Sequence, residues 1–241
     1  MKTDRSNSCF TIGHSDLPVE AFVYFLRKAK IDTIIDVRSS PYSKYQTQFN
    51  RENISQKLNQ EDIEYHYMGD MLGGRYSSPE FLFPDGTVDY EKVSTTQKFK
   101  SGLEEVINFI HADKTVSLMC SEKDPLTCHR FVLISKNLQK LGIEVIHLYP
   151  ELIRKTHTEL ENELLNQNGL KGQKTLMGND SDTMELSYKR LNKKIGYKPP
   201  PKPVDSNRQN KEYSNLNSHN DDTSEANEEN TKNRNNQETL F

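Results

Sequence analysis

The sequence predicts an α/β domain in which a mostly parallel sheet carries helices on both faces, a Rossmann-like three-layer arrangement. Two observations lead to this prediction. Short apolar runs alternate with longer amphipathic patterns along residues 1–150, and such alternation is typical of parallel strands joined by helices. Most aliphatic and aromatic side chains also lie in residues 1–150, although hydrophobic residues make up only 33% of the chain.

Short apolar runs predict the strands, because each is followed by polar or turn-forming residues. The run Thr33–Val37 is dominated by β-branched residues and ends before Ser39-Ser40-Pro41. The predicted strands are 10–12, 33–37, 63–67, 115–119 and 143–148.

Apolar residues spaced three or four positions apart predict the helices. One such pattern contains Phe99, Leu103 and Val106, and Gly142 is the expected C-terminal cap of the last helix. The predicted helices are 17–30, 50–60, 99–111 and 128–141.

The composition divides the chain into three parts. Residues 1–150 form the predicted α/β domain, and residues 151–196 a partly helical extension. Residues 197–241 contain almost no Val, Ile, Leu or Phe before the last two positions. Such a segment buries too little apolar surface to offset the entropy of ordering, so we expect a disordered polar tail.

Charge and cysteine content exclude several classes of protein. The 32 basic and 35 acidic residues give a net charge of −3, which argues against a generally basic nucleic-acid-binding surface but leaves room for a local patch. Three cysteines are too few for a disulfide framework, so a reducing cytoplasm is the expected compartment. No run approaches the ~18 apolar residues of a membrane span, and we expect no membrane association.

Polar residues follow three of the predicted strands, where the carboxyl ends of parallel strands form a ligand crevice. We therefore expect the reactive groups to meet at one edge of the sheet. The candidate catalytic residues are His14, Cys120, Glu122, Cys128 and His129. The candidate substrate- or anion-binding residues are Ser15, Asp36, Arg38, Gly73, Gly74, Arg75 and Arg130.

The start of the last predicted helix favours an anion. With Thr127 as N-cap, free backbone N–H groups would open the helix, and Arg130 would add a planar fork for phosphate or carboxylate. The same position would lower the pKa of the Cys128 thiol. In the alternative interpretation, Asp36 and Arg38 pair with each other because they share one side of the strand, and Cys120 is inert packing.

Two other kinds of site are less favoured by spacing. Too many residues separate Cys120 from Arg130 for a phosphatase-like loop. Zinc, bound by the cysteines with His129 or His14, remains an alternative, but Cys120 and Cys128 lack the spacing of a zinc knuckle. The sequence requires no cofactor.

Five motifs of the predicted domain stand out together: TIGHS (11–15), IIDVRSSPYS (34–43), YHYMGDMLGG (65–74), LMCSEKDPLTCHR (118–130) and VIHL (145–148). Together they resemble one known family, domain of unknown function family 488 (DUF488). The resemblance covers about residues 9–150 and implies a soluble cytoplasmic α/β domain. It also implies that the family's recurring polar residues fall on Gly13 and on the candidate positions named above, except for Arg75.

The chain ends in Gln237-Glu238-Thr239-Leu240-Phe241. Gln237, Leu240 and Phe241 are similar to the short peptide by which many bacterial proteins bind the DNA sliding clamp, where apolar side chains fill a pocket and a flexible tether gives reach. We therefore expect an enzyme acting on DNA or on a nucleotide-like anionic substrate, in DNA repair or modification. The alternatives are a non-catalytic ligand-binding adaptor and a zinc or thiol-redox protein.

Overall fold

The computed structural model describes residues 7–170 and 180–201, and these form one compact unit up to Pro199. Its centre is a six-stranded sheet. The strands are β1 (Ser8–Gly13), β2 (Thr33–Asp36), β3 (Glu64–Tyr67), β4 (Val116–Cys120), β5 (Glu144–Leu148) and β6 (Arg154–Thr156). Their order is β3-β2-β4-β1-β5-β6, and only β6 runs antiparallel to its neighbour. The predicted mostly parallel sheet is therefore confirmed, and β6 is an addition to it.

Helices cover both faces of the sheet. They are α1 (Val19–Ala29), α2 (Arg51–Asn59), α3 (Gly69–Leu72), α4 (Tyr90–Ser94), α5 (Gln97–His111), α6 (Lys136–Lys140), α7 (His157–Gln167) and α8 (Asp180–Ile195). Phe22 of α1 and Leu58 of α2 belong to the core on one face. Phe99 of α5 and Tyr188 of α8 belong to the core on the other face. The predicted three-layer α/β class is confirmed.

Local sequence explains where these elements begin. The Thr96 side chain accepts a hydrogen bond from the backbone N–H of Phe99, which caps the start of α5. Every residue of β2 and β4 is buried, because central strands of a parallel sheet are covered on both faces. Gly142 has a φ of +83°, the left-handed conformation expected of the C-terminal cap that follows α6.

The predicted helix 128–141 begins later than expected, and Thr127 is not its N-cap. Thr127 ends a short 3₁₀ turn, and Cys128 is extended, with φ −131° and ψ 143°. A π-helical segment, Arg130–Ser135, then leads directly into α6. The backbone N–H of Arg130 donates to Sγ of Cys128 at 3.4 Å. The Cys128 thiol therefore caps this segment in place of the Thr127 hydroxyl.

The C-terminal helices complete the same compact unit. A capping box between Thr156 and Glu159 starts α7, and Tyr188 of α8 lies in the core. Tyr197, the first residue of the predicted tail, accepts a hydrogen bond from the backbone N–H of Val88 at 2.9 Å. The ordered chain therefore extends past the predicted boundary, while Gln237, Leu240 and Phe241 lie outside the described residues.

Candidate functional site

The strand register brings the carboxyl ends of three neighbouring strands level. Gly13 at the end of β1 pairs with Cys120 at the end of β4, and the N–H of Val37, just after β2, donates to the Met119 carbonyl at 3.1 Å. A Cβ at Gly13 would lie 1.7 Å from the backbone oxygen of Glu122. Only glycine allows the segment after β4 to fold back this closely.

A buried ion pair follows β2. The Arg38 guanidinium donates to both carboxylate oxygens of Asp36, at 2.8 and 2.6 Å, and the Tyr65 hydroxyl donates to the same carboxylate at 2.6 Å. The exposed fraction is 5% for Arg38 and 0% for Asp36. The alternative interpretation, in which these residues pair with each other, is therefore confirmed, and Asp36 faces no ligand space.

His14 lies behind this ion pair. Its Nδ1 is 2.9 Å from the Ser15 carbonyl oxygen, which can only accept, so Nδ1 carries the proton. Nε2 is then free to accept from Nη1 of Arg38 at 3.2 Å. Burial and the charge of Arg38 lower the pKa of His14 to about 4. A neutral His14 therefore orients Arg38.

Arg130 does not point into an anion site. Its side chain is fully buried, and the guanidinium donates to the backbone oxygens of Glu122 and Lys123 at 2.7 and 3.0 Å. Nε has no hydrogen-bond partner among the described residues. The expected role of Arg130, binding an anion at an open helix start, is therefore not found, because its Nη1 and Nη2 hold the loop after β4.

Cys120, Cys128 and His129 form a cluster beneath that loop. Each sulfur lies 3.8 Å from Nδ1 of His129, and one ligand atom of each of the three residues lies within 4.8 Å of the others. Sγ of Cys120 also lies 3.0 Å from Oε2 of Glu122. Nε2 of His129 lies 3.1 Å from the Val37 carbonyl oxygen. Nε2 therefore carries a proton, and Nδ1 faces both sulfurs.

The pKa values of the two thiols are shifted in opposite directions. The hydrogen bond to Cys128, together with burial, raises the pKa of Cys120 well above its ordinary value. Burial acts in the same direction on Cys128, but the hydrogen bond from Cys120 and the charge of Arg130 outweigh it and hold the pKa of Cys128 well below its ordinary value. The pKa of Cys128 is thus shifted downward, as the sequence predicts, but the lowering comes from neighbouring side chains and not from the start of a helix.

A cavity of about 180 Å³ opens above the cluster. Cys120, Glu122 and His129 line it, together with Arg38 and Arg75. The remaining lining residues are Ser39, Ser40, Gly74, Tyr90, Ser121, Thr127, Ile195 and Tyr197. The cavity therefore joins the ends of β2 and β4 to the segment after α3 and to the end of α8.

Comparison with known families agrees with the motifs. Residues 18–136 match the model of the family described as Domain of unknown function DUF488. Through this region the chain belongs to the DUF488 family. No curated protein and no solved structure shows a significant match to the chain. The family match starts after the motif that contains His14 and ends before β5.

Only some of the predicted residues reach the cavity of this DUF488 protein. Cys128 and His14 lie behind the residues that line it, and Ser15 and Gly73 are also absent from its lining. Gly73 is needed for packing, since a Cβ there would lie 2.3 Å from the Gly69 carbonyl oxygen. Gly74 lines the cavity.

Sequence reasoning missed two aromatic walls of the cavity. Tyr90 starts α4, a helix that the sequence did not predict, and Tyr197 was assigned to the polar tail. Their hydroxyl and ring positions depend on the packing of α8 against α4, since Asn192 bonds the backbone of Val88 and Tyr90. No local pattern around Tyr197 predicts this contact.

A larger cavity of about 340 Å³ lies beside α8 and is lined by residues such as Lys136, Glu185 and Tyr188. It contains none of the predicted catalytic or anion-binding residues. Among the helices of the described chain, none combines the length and apolar composition that a membrane crossing requires.

Proposed function

We propose that this DUF488 protein is an enzyme that acts on DNA or on a nucleotide-like anionic substrate, in DNA repair or modification. The observation that carries the proposal is the position of Arg75 beside Cys120, Glu122 and His129 in one cavity. A cationic group for binding and titratable groups for chemistry thus share one small space, as substrate sites require.

Arg75 is the group best suited to bind the anion. Its side chain is exposed, and its guanidinium carbon lies 5.4 Å above the centre of the Tyr197 ring. Stacking uses the face of the guanidinium and leaves its N–H edge free for a phosphate or carboxylate. Within residues 7–170 and 180–201, no carboxylate forms an ion pair with Arg75. Arg38, by contrast, is already neutralised by Asp36.

The size of the cavity limits what enters it. Pockets for drug-sized ligands measure about 300–1,000 Å³, and this cavity measures about 180 Å³. It accommodates one end of a substrate, such as a phosphate with its sugar, while the rest lies on the surface outside. A nucleotide or the end of a nucleic-acid strand has this form. Glu122, which lines the cavity, is the group that would move a proton there, because both ring nitrogens of His129 are already engaged by the Val37 carbonyl and the two sulfurs.

The segment after Arg38 offers a surface for the rest of such a substrate. Ser39 and Ser40 line the cavity, and the chain continues to Tyr42 and Tyr45, whose exposed fractions are 56% and 91%. Exposed tyrosines serve as stacking platforms for nucleic-acid bases. The clamp-like peptide at 237–241, outside the described residues, supports an association with DNA through the sliding clamp.

The test is binding of a panel of nucleotides and single-stranded oligonucleotides to the full chain, followed by turnover assays on each ligand that binds. We expect Arg75→Gln to weaken binding about tenfold or more, in keeping with the loss of a charge-assisted contact. Arg154→Gln, at an exposed arginine on the opposite edge strand β6, is the matched control. Equal binding by both variants, or no binding by the wild type, would overturn the proposal.

A further inference from the structure

We propose that Cys120, Cys128 and His129 bind one divalent cation of the zinc type, with Glu122 or a water as fourth ligand. This inference deepens the proposed function, because three of these four residues line the same cavity, but it depends on different atoms from the anion contact at Arg75. Two thiolates and an imidazole with an open fourth position form a ligand set used by catalytic zinc sites.

The distances fit such a centre. With Zn–S near 2.3 Å and Zn–N near 2.0–2.1 Å, tetrahedral geometry requires about 3.6 Å between a sulfur and the nitrogen. Both sulfurs lie 3.8 Å from Nδ1 of His129. A small inward shift of the three side chains therefore produces a coordination shell around one ion.

His129 is already oriented as a metal ligand. Its Nε2–H donates to the Val37 carbonyl, which leaves Nδ1 directed toward both sulfurs. Metal-bound histidines characteristically donate their second ring nitrogen to a carbonyl or carboxylate, which fixes the tautomer and ring orientation. Gly74 supports the ring from the other side, since a Cβ there would lie 2.7 Å from Cγ of His129.

The buried charge of Arg130 is consistent with anionic sulfur ligands in the cluster. Its side chain is fully buried beside Cys128, its two Nη atoms donate to neutral backbone oxygens, and its Nε has no hydrogen-bond partner among the described residues. A buried cation requires a nearby negative charge. Two metal-bound thiolates and the Glu122 carboxylate around a divalent ion carry a net charge of about −1, which balances Arg130.

The position of Cys128 argues against its use as a nucleophile. Its side chain is 1% exposed and does not line the cavity, so a substrate in the cavity cannot contact its sulfur. A metal ligand, by contrast, is suited to a position behind the cavity wall. Binding of the ion releases the remaining thiol proton to solvent, and the bound ion would polarise a substrate oxygen or activate a water.

The experiment measures metal in the full chain, purified without a metal-binding tag and reconstituted with Zn²⁺ or Co²⁺ under reducing conditions. We expect about one ion per chain, with thiolate-to-cobalt charge-transfer absorption for Co²⁺. Cys128→Ser and His129→Gln should each weaken binding of the ion by at least tenfold. Cys9→Ser is the matched control, because Cys9 is buried and lies four residues before Gly13, the β1 residue that pairs with Cys120, and should leave binding unchanged.

Three results would overturn the inference. The first is reconstituted wild-type protein that holds no ion. The second is a Cys120–Cys128 disulfide in place of the ion, found by thiol titration of anaerobically purified protein. The third is an equal loss of metal in Cys9→Ser. Failure of the proposed function remains distinguishable, because Arg75→Gln should retain the full metal content whether or not the protein binds nucleotides.

Discussion

Gly74 lies directly against the imidazole of His129. A Cβ at Gly74 would lie 2.7 Å from Cγ and 2.8 Å from Cβ of His129, closer than side-chain atoms pack. The opposite side of the imidazole is fixed by the hydrogen bond from Nε2 to the Val37 carbonyl. Backbone on both sides therefore sets the direction in which Nδ1 points, and the absence of a side chain at Gly74 is part of that arrangement.

We expect Gly74→Ala to displace His129 and to lower the free energy of unfolding by about 1–3 kcal/mol, the usual cost of overpacking. Chemical denaturation measures this loss, and the reactivity of Cys120 and Cys128 toward a thiol reagent reports the displacement. Gly142→Ala is the control. Its φ of +83° strains any other residue, but nothing lies within 4 Å of the added Cβ.

The control should lose about 1 kcal/mol from backbone strain alone and keep the thiol reactivity of the wild type. If Gly74→Ala and Gly142→Ala react at the same rate, the close contact between Gly74 and His129 does not position the imidazole.

The ion pair between Asp36 and Arg38 should dominate local stability. Asp36→Asn leaves the buried Arg38 charge without its counter-ion, a change that costs about 3–5 kcal/mol. The matched control is Glu163→Gln. It removes the partner of Lys155 at 2.7 Å, in a pair whose side chains are 35% and 40% exposed, and such pairs contribute about 1 kcal/mol or less. Urea denaturation of both variants measures the difference, and comparable losses would contradict the prediction.

The order of strands and helices along the chain was predictable, because the sequence patterns that indicate them are local. β-branched runs and helical spacing depend on neighbouring residues, and they predicted β2, β4 and α5 within a few positions. The pairing of Asp36 with Arg38 was also accessible, because side chains two positions apart share one side of a strand. The short strand β6 and helix α4 carry too few residues for a periodic pattern.

The cluster was not predictable from spacing. Cys120 and Cys128 are too far apart in sequence for a zinc knuckle, yet the loop after β4 folds back through the 3₁₀ turn Pro125–Thr127 and returns Cys128 to the end of the strand. The direction in which the Arg130 side chain points could not be predicted either, since a long side chain can reach solvent or turn inward. The carbonyls of the folded loop decide between the two.

The exposed ring of Tyr45 should contribute to binding of single-stranded DNA. Stacking of one base is worth about 1–3 kcal/mol, so Tyr45→Ala should weaken binding of a short oligonucleotide by roughly 5- to 150-fold. Fluorescence anisotropy measures the affinity. Tyr24→Ala serves as the control, because Tyr24 is 51% exposed but belongs to α1 and not to the segment that follows Arg38. An equal effect of both variants would show that the stacking surface lies elsewhere.

The terminal peptide should bind the sliding clamp independently of the cavity. Deletion of residues 237–241, or the double change Leu240→Ala and Phe241→Ala, removes the two apolar side chains that would fill the clamp pocket. Either change should abolish capture of the full chain by immobilised clamp. Arg75→Gln should leave capture unchanged. Capture that survives the deletion would show that residues 237–241 do not carry the binding, and it would leave the cavity proposal intact.

Acid should destabilise the fold through buried neutral histidines. Burial lowers the pKa of His157 from 6.5 to about 3, and burial together with the charge of Arg38 lowers the pKa of His14 to about 4. The unfolded chain therefore binds more protons than the folded chain below pH 6.5. The stabilisation is fully present above that pH and is lost progressively as the pH falls toward the folded values.

Between pH 7 and pH 5 the lowered pKa of each of these two histidines should reduce the free energy of unfolding by about 2 kcal/mol, or by about 4 kcal/mol for both. Urea unfolding at a series of pH values measures the slope. In His157→Gln the dependence on pH should fall by roughly one proton, even if the mutation also lowers stability at pH 7 by breaking the hydrogen bond to Tyr188. An unchanged slope in that variant would mean that His157 is already protonated in the folded protein, which contradicts its burial between His147 and Tyr188.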